Sequence, residues 1–294
     1  MAGIYDTKSR KERILARLNE LNAGPKRSLG QNFLISDMVI DKILFAVKAE
    51  KFSELIEVGP GLGALTEDLI EVAKEKDSKL TLVELDSGFV TEWSKRFETE
   101  SSAKFRVIEE DALQLDWQTL GLQPQTLFVS NLPYQISSSI AIERSIWPCG
   151  VSRMILMFQK EVAQRISARA KQDAYGLLTV IIQAFWETAT VSEAGPKDFH
   201  PAPNVASRVL VFRRRAEPDF GKGTAEGFLK FAKAGFAHRR KLLARNLVSD
   251  YFRGAPGAAN IESAFKEAGL LPTARAEELE PTKWIELYRL LSNA

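Results

Sequence analysis

The chain of 294 residues holds one cysteine, Cys149, which leaves no internal disulfide and predicts a reducing compartment. Beside that thiol stand only two histidines, His200 and His238, so no Cys/His metal cluster can be assembled and no metal is expected. Long apolar runs are missing as well. The longest, near Leu177–Ile182 and Met154–Phe158, fall far short of the roughly 20 residues that span a bilayer. The N-terminus is basic, yet no apolar stretch follows it, so no secretory signal is expected either. The sequence predicts a soluble, cytoplasmic protein with nothing that calls for an obligate oligomer, and a monomer is expected.

What is present is the composition of an ordinary globular protein, with 45% hydrophobic and 27% charged residues, long enough for one large domain and a smaller one. The net charge of +2 hides a polarity. Residues 1–27 carry seven Lys/Arg against three Asp/Glu, residues 28–212 carry 18 against 25, and residues 213–294 carry 15 against 10. Two basic ends flank an acidic middle, the footprint expected if a polyanion is gripped outside a catalytic core.

Along the chain, residues 7–22 pattern as a helix with Ile14, Leu15, Leu18 and Leu21 on one face and basic residues over the rest. An irregular segment through Lys26–Leu34 leads to a helix at about 37–50. From Leu55 the pattern alternates strand, glycine turn and helix. Strands are predicted at 54–58, 79–85, 104–108, 126–130 and 153–158, with helices at about 62–76, 87–99, 137–147 and 160–170. A helix at 175–187 precedes two late strands near 189–194 and 207–213, read as a hairpin-like antiparallel addition at the sheet edge. The class is α/β: a doubly wound sheet of seven strands with the last antiparallel. After Arg213-Arg214-Arg215 the strand signal ends, and helices are predicted at about 225–237, 239–253, 259–268 and 281–292. The division expected is a basic helical arm over 1–25, a catalytic domain over 26–214 and a helical C-terminal domain over 215–294.

Leu55-Ile-Glu57-Val-Gly59-Pro-Gly61-Leu-Gly63-Ala64 reads as strand, glycine-rich turn and helix start, where backbone N–H groups can approach a ligand. Gly59, Gly61 and Ala64 also satisfy a dinucleotide fingerprint, with Glu84 about 20 residues on, so the turn alone does not separate a nicotinamide from an adenosyl cofactor. Three acids tilt the balance. Glu57 stands where a pyrophosphate would meet repulsion. Glu84 ends the second strand, placed to hold a ribose diol. Asp111, followed by Ala112, ends the third, placed to accept from an adenine amine. That set describes S-adenosylmethionine.

The second candidate element is Asn131-Leu132-Pro133-Tyr134, which follows the apolar strand Leu127-Phe128-Val129. It presents an amide, stiffened carbonyls and a ring at the carboxyl end of a strand, where ligands bind in open α/β sheets. Adenine's exocyclic nitrogen is a poor nucleophile because its lone pair is delocalised into the ring. The Asn131 oxygen and the Leu132 or Pro133 carbonyl can hold its hydrogens and turn the lone pair toward a methyl donor, while Tyr134 stacks on the base, a contact worth roughly 1–3 kcal/mol. The base must first leave its stack.

These residues carry a resemblance. The chain resembles the rRNA adenine dimethyltransferases that modify small-subunit ribosomal RNA, through Leu29-Gly-Gln-Asn-Phe-Leu34, Glu57-Val-Gly-Pro-Gly61, Glu84-Leu-Asp86, Asp111-Ala112, Asn131-Leu-Pro-Tyr134, Phe199-His-Pro-Ala-Pro-Asn-Val-Ala-Ser207, Phe236-Ala-His-Arg-Arg-Lys241 and Arg275-Ala-Glu277. The resemblance implies a Rossmann-like methyltransferase sheet with a small all-helical C-terminal domain. It implies transfer of two methyls to each of two adjacent adenines near the 3′ end of 16S rRNA, within an immature small ribosomal subunit. Gln31, Asn32 and Leu34 would close over the cofactor, Gly59 and Gly61 contact it, Glu84 bind its ribose and Asp111 its adenine. Asn131 would lie between cofactor and target, with Phe199 a second aromatic across the flipped base from Tyr134. Arg239, Arg240, Lys241 and Arg245 are expected to meet phosphates from a basic helix. Gln135 departs from the family, which most often has Asn there, and Asn246 lies one residue further from Arg239-Arg240-Lys241 than the family pattern places it.

Other readings make distinct demands. A large-subunit enzyme of the macrolide-resistance type shares the adenine turn but not the Phe199–Ser207 stretch and the long helical tail. A non-catalytic RNA-binding assembly factor would not need Asn131–Tyr134 together with Glu84 and Asp111. A nicotinamide dehydrogenase would need a hydride-transfer acid, and no Tyr-x-x-x-Lys pair is recognisable.

Overall fold

The computed structural model describes residues 10–20, 32–100, 104–253 and 255–293. Gln31, expected over the cofactor, lies outside the described residues, as does much of the expected 1–25 arm. The described residues form two compact units: Met1–Ile140, Cys149–Ala163 and Ala189–Phe212 in the first, and Ala141–Pro148, Gln164–Thr188 and Arg213–Ala294 in the second.

The chain opens with α1 (Arg10–Glu20), β1 (Phe33–Leu34) and α2 (Asp37–Ala49). Strands and helices then alternate as β2 (Glu54–Val58), α3 (Thr66–Glu75), β3 (Lys79–Glu84), α4 (Ser87–Thr99), β4 (Phe105–Glu109), β5 (Thr126–Ser130), α5 (Tyr134–Ile146), β6 (Val151–Gln159) and α6 (Lys160–Ile166). After α7 (Leu177–Phe185) come β7 (Trp186–Ala194), β8 (Phe199–His200) and β9 (Ser207–Arg214). Seven strands make one sheet in the order β4-β3-β2-β5-β6-β9-β7, with the first five parallel and the last strands antiparallel. Leu55, Ile56, Leu127 and Phe128 are fully buried, the pattern of central parallel strands covered on both faces. The chain leaves β2 toward β3 and β4 on one side, then returns to β5 and continues to β6 on the other. β2 and β5 are neighbours in register from Glu54↔Thr126 to Glu57↔Val129, so the strand order reverses between them, and the crevice at their carboxyl ends is the switch point where ligands bind.

Two details go beyond the sequence reading. The late strands lie side by side at the sheet edge, as expected, with β9 on the inside next to β6 and β7 outermost. Burial explains that order: Val209, Leu210 and Phe212 of β9 are at most 1% exposed, whereas β7 exposes Glu187, Ala189, Thr190 and Glu193. The segment near Phe33, read as irregular, pairs antiparallel with β8 as a two-stranded ribbon, Phe33 opposite His200 and Leu34 opposite Phe199.

The second unit takes up more than the residues after 214. Helix α7 is buried almost all round, with Phe185 6.0 Å from Phe220 and 6.4 Å from Phe228 between ring centres. An apolar helix of that kind needs cover on every side. The remaining helices are α8 (Ala225–Gly235), α9 (Leu243–Asn246), the π-helical turn Leu247–Phe252, α10 (Ile261–Glu267) and α11 (Pro281–Asn293). A Cβ on Gly235 would come within 2.4 Å of the buried Trp284, so the glycine sets how closely α8 and α11 approach. The expected helix at 239–253 is a turn through residues 236–242, then the short α9 and the π-helical turn. Asn246 is the reason. Fully buried, it donates its amide hydrogens to the carbonyls of Gly235 at 2.7 Å and His238 at 3.1 Å, fastening the turn at the end of α8.

Candidate active site

The turn after β2 begins with Gly59 at φ 68° and passes Gly61 at φ 51°, both in the left-handed region that a side chain disfavours. A Cβ on Gly61 would also press to 3.1 Å from Phe33. The Gly59 N–H donates to Val83 O at 2.8 Å, joining the turn to β3, and the Gly61 N–H donates to Glu84 Oε2 at 3.1 Å. The other Glu84 oxygen accepts from the N–H groups of Leu85 at 2.9 Å and Asp86 at 3.0 Å. Burial pushes the Glu84 carboxyl upward, while these three N–H donors oppose the shift and Asp86 adds to it.

Glu57 is 2% exposed, and burial pushes its carboxyl up to about 8, helped by Glu84 and opposed by the Thr66 hydroxyl. Its Oε2 has no hydrogen-bond partner among the described residues. Burial thus disfavours the charged form of this acid, which weakens the repulsion of a pyrophosphate expected from the sequence.

Asp111 follows β4, and its Oδ1 accepts from the Leu113 N–H at 2.9 Å, which orients the carboxylate; Ala112 beside it is buried. At the end of β5, the Ser130 hydroxyl donates to the Val58 carbonyl and ties β5 to β2 at the switch point. Asn131 comes next. Its Nδ2 donates to the backbone carbonyl of Asn32 at 3.2 Å, so the amide's oxygen is the acceptor that remains. Pro133 stands immediately before α5, and its carbonyl accepts from the Ile136 N–H at 3.1 Å. The half-buried Tyr134 shares a hydroxyl–hydroxyl hydrogen bond of 2.6 Å with the fully buried Ser207 of β9, which fixes the ring by its far end. Burial raises the Tyr134 hydroxyl's pKa, and the Ser207 bond opposes that.

These parts surround one cavity of about 190 Å³. Its wall contains Asn32, Leu34, Glu57, Gly59, Gly61, Glu84, Asp111, Ala112 and the whole of Asn131–Tyr134. Sequence reasoning missed Phe33, Leu85 and Ile136, which also line it. Leu85 is 51% exposed between two acids, and a large apolar side chain left open beside Glu84 is the signal that marks it.

Phe199 is 3% exposed, belongs to the core that contains Phe33 and Leu34, and does not line the cavity. It pairs opposite Leu34 in the two-stranded ribbon.

In the second unit, Arg239, Arg240 and Lys241 lie on the turn before α9 and not on a helix, while Arg245 is on α9. Arg239 is engaged: its Nε pairs with Glu277 at 2.8 Å and its Nη2 donates to Asp173 O at 3.2 Å. Arg240, Lys241 and Arg245 are exposed. Among the described residues, no group of three or more His, Cys, Asp or Glu is placed to hold a metal ion, and no helix is long and apolar enough to cross a membrane.

The cavity fits an adenosyl group by its own chemistry. It offers backbone approach at Gly59 and Gly61, carboxylates at two successive strand ends, the open face of Leu85, and the unpartnered buried oxygen of Glu57.

Comparison with known proteins agrees with this layout. The family described as ribosomal RNA adenine dimethylase matches residues 23–293. A Bdellovibrio bacteriovorus protein named ribosomal RNA small subunit methyltransferase A is 47% identical over 279 residues, covering 95% of this chain and 97% of that one. A protein of the same name from Syntrophotalea carbinolica is 35% identical over 272 residues, covering 92% and 98%. Among solved structures, a dimethyladenosine transferase from Plasmodium falciparum superposes with a TM-score of 0.70 at 22% identity, covering 87% of this chain and 95% of that one. At that identity the likeness shows the fold.

Proposed function

The chain belongs to the ribosomal RNA adenine dimethylase family, and from that premise we propose that it dimethylates two adjacent adenines near the 3′ end of 16S rRNA, at N6, in an immature small ribosomal subunit. It is an S-adenosylmethionine-dependent rRNA adenine dimethyltransferase. The observation that carries the assignment of the site is the meeting of two turns around one cavity at the β2/β5 switch point, with Asn131 hydrogen-bonded to Asn32 in its wall.

S-adenosylmethionine, when bound, supplies a methyl group on an already activated sulfonium. The protein's part is positioning. Glu84 and Asp111 would hold the ribose and the adenine of the cofactor, and Gly59 and Gly61 would admit its methionine portion. For the target adenine, the Asn131 oxygen is one acceptor for the N6 hydrogens. Of the two candidate carbonyls, Pro133's already accepts one hydrogen bond, from Ile136, and Leu132's is the one proposed as the second acceptor. Holding both hydrogens draws the nitrogen toward tetrahedral geometry and aims its lone pair at the methyl. Tyr134, anchored through Ser207, would stack on the base, and no general base is required. Phe199 is given no stacking role in this conformation. Arg240, Lys241 and Arg245 would meet rRNA phosphates, and the proposed setting is cytoplasmic action as a monomer.

The test is to incubate the protein with labelled S-adenosylmethionine and, separately, unmethylated small subunits, large subunits and naked rRNA, then map the label. Dimethyladenine pairs confined to small-subunit rRNA are expected. Label in large-subunit rRNA would move the assignment to the other ribosomal subunit, and RNA binding without label would end the catalytic reading.

A further inference from the structure

Helix α1 is basic, precedes the residues matched by the family and has no role in the chemistry above. Its two best-placed arginines do not face solvent for a nucleic acid. Ile14 and Leu18 bury one face in the core of the first unit. Arg10 reaches Asp37 at 3.3 Å and Asp41 at 2.9 Å on α2, and both carboxylate oxygens of Asp68 on α3 at 3.0 and 3.1 Å. About two turns further on, Arg17 pairs with Glu67 at 3.1 Å and Glu92 at 3.3 Å. Five carboxylates on one side of the acidic domain thus receive the helix.

Arg17 does more than dock. Its Nη1 donates to the carbonyl of Leu62 in the glycine turn at 3.3 Å, and its guanidinium lies 4.6 Å from the centre of the Trp93 ring. Trp93 is fully buried, and its Nε1–H donates to the Gly61 carbonyl at 2.9 Å. A Cβ on Gly63 would come within 2.5 Å of Trp93 and 3.3 Å of the Arg17 Nη1, so the turn lies directly on this pair. The Gly61 peptide is consequently held from both sides. Its N–H faces Glu84 in the cavity, and its carbonyl is held from behind by Trp93.

We propose that α1 is a positioning element of the cofactor site, in which Arg17, over the Trp93 ring and bonded to Leu62, holds the Gly59–Gly63 turn in its cofactor-binding shape. The proposal rests on the reading that this cavity binds S-adenosylmethionine. Isolated exposed ion pairs contribute little, so the guanidinium over the Trp93 ring and the two carbonyl contacts carry the coupling, and a lysine cannot replace them fully.

The test measures S-adenosylhomocysteine binding by calorimetry on the full chain, beside the salt dependence of binding to a small-subunit rRNA fragment. Trp93→Phe keeps a ring in the core but removes the N–H to Gly61; Arg17→Ala and Arg17→Lys act on the guanidinium over that ring. Trp93→Phe and Arg17→Ala are each expected to weaken cofactor affinity about 5- to 10-fold, with Arg17→Lys intermediate. KM for the methyl donor rises while kcat at saturating donor holds, and the salt slope for RNA does not move. The double variant should lose little more than the larger single loss, because both act through one turn. Should Arg17→Ala melt early, Arg17→Lys and Trp93→Phe still give the comparison. Unchanged cofactor affinity in folded variants overturns the proposal, and so does a loss confined to RNA binding. A wild-type protein that binds no S-adenosylhomocysteine overturns the cofactor reading itself, a distinct outcome.

Discussion

Replacing Asn131 by alanine separates cofactor binding from chemistry. In the free protein the side chain makes one neutral hydrogen bond, from Nδ2 to the Asn32 carbonyl. Losing it costs about 1 kcal/mol, which translates into a melting temperature lower by roughly 2–4 °C and cofactor affinity weaker by no more than about 5-fold. The oxygen's role belongs to the reacting complex, where it accepts from the adenine amine. Removing one preorganised polar contact to a transition state costs on the order of 10²–10³ in kcat. The assay pairs single-turnover methylation of small subunits, at saturating labelled donor, with calorimetry of S-adenosylhomocysteine binding. A turnover near that of the wild type would remove Asn131 from the mechanism. A cofactor affinity that falls as far as turnover would make it a cofactor ligand and not a holder of adenine.

Four further outcomes follow from the same geometry. Glu57 has its carboxyl raised to about 8 in the fold, so its contribution to stability is full below the unfolded value near 4.5 and is lost as pH rises through 8. Melting curves between pH 4.5 and 8 should therefore fall with pH, by up to about 1.4 kcal/mol per unit, and Glu57→Gln should flatten that slope. Gly235→Ala places a methyl against the buried Trp284 and should cost about 1–3 kcal/mol in unfolding, read by denaturant titration. Asn246→Ala removes the side-chain donor to the Gly235 carbonyl and one of the two donors to the His238 carbonyl, which keeps the Lys241 N–H, and should cost a similar amount. Filter binding of an rRNA fragment against salt should show Arg240→Ala and Lys241→Ala each lowering the slope by about 0.7–0.9, with Arg239→Ala lowering it less because its guanidinium is already engaged by Glu277 and the Asp173 carbonyl.

The parts that were legible in the sequence are those whose signal is local and whose ligand chemistry is explicit. Leu55–Val58, apolar except for Glu57, and the apolar run Leu127–Val129 are followed by Gly59 and by Ser130-Asn131, so both the strands and the turns that carry the site could be read directly. Glu84 and Asp111 follow because strand ends in such a sheet face the ligand. Non-local information decided the rest. The ribbon of Phe33–Leu34 with Phe199–His200 is two residues long on each side and leaves no periodicity to detect, and it is what buries Phe199. Residues 236–242 contain good helix formers, yet the buried amide of Asn246 takes the carbonyls that end α8 and fixes a turn instead. A basic helix suggested nucleic acid, whereas Arg10 and Arg17 are matched to carboxylates that lie on three other helices. The charge of Glu57 was legible as a residue type but not as a protonation state, which burial sets.

The most direct measurement of the central claim is a structure of the chain with S-adenosylhomocysteine and an adenosine-bearing rRNA fragment. The account predicts the adenosyl group in the cavity beside Glu84 and Asp111, with the target N6 within about 3.2 Å of both the Asn131 Oδ1 and the Leu132 carbonyl. An adenosyl group bound elsewhere, or a target amine out of hydrogen-bond reach of Asn131, would contradict it.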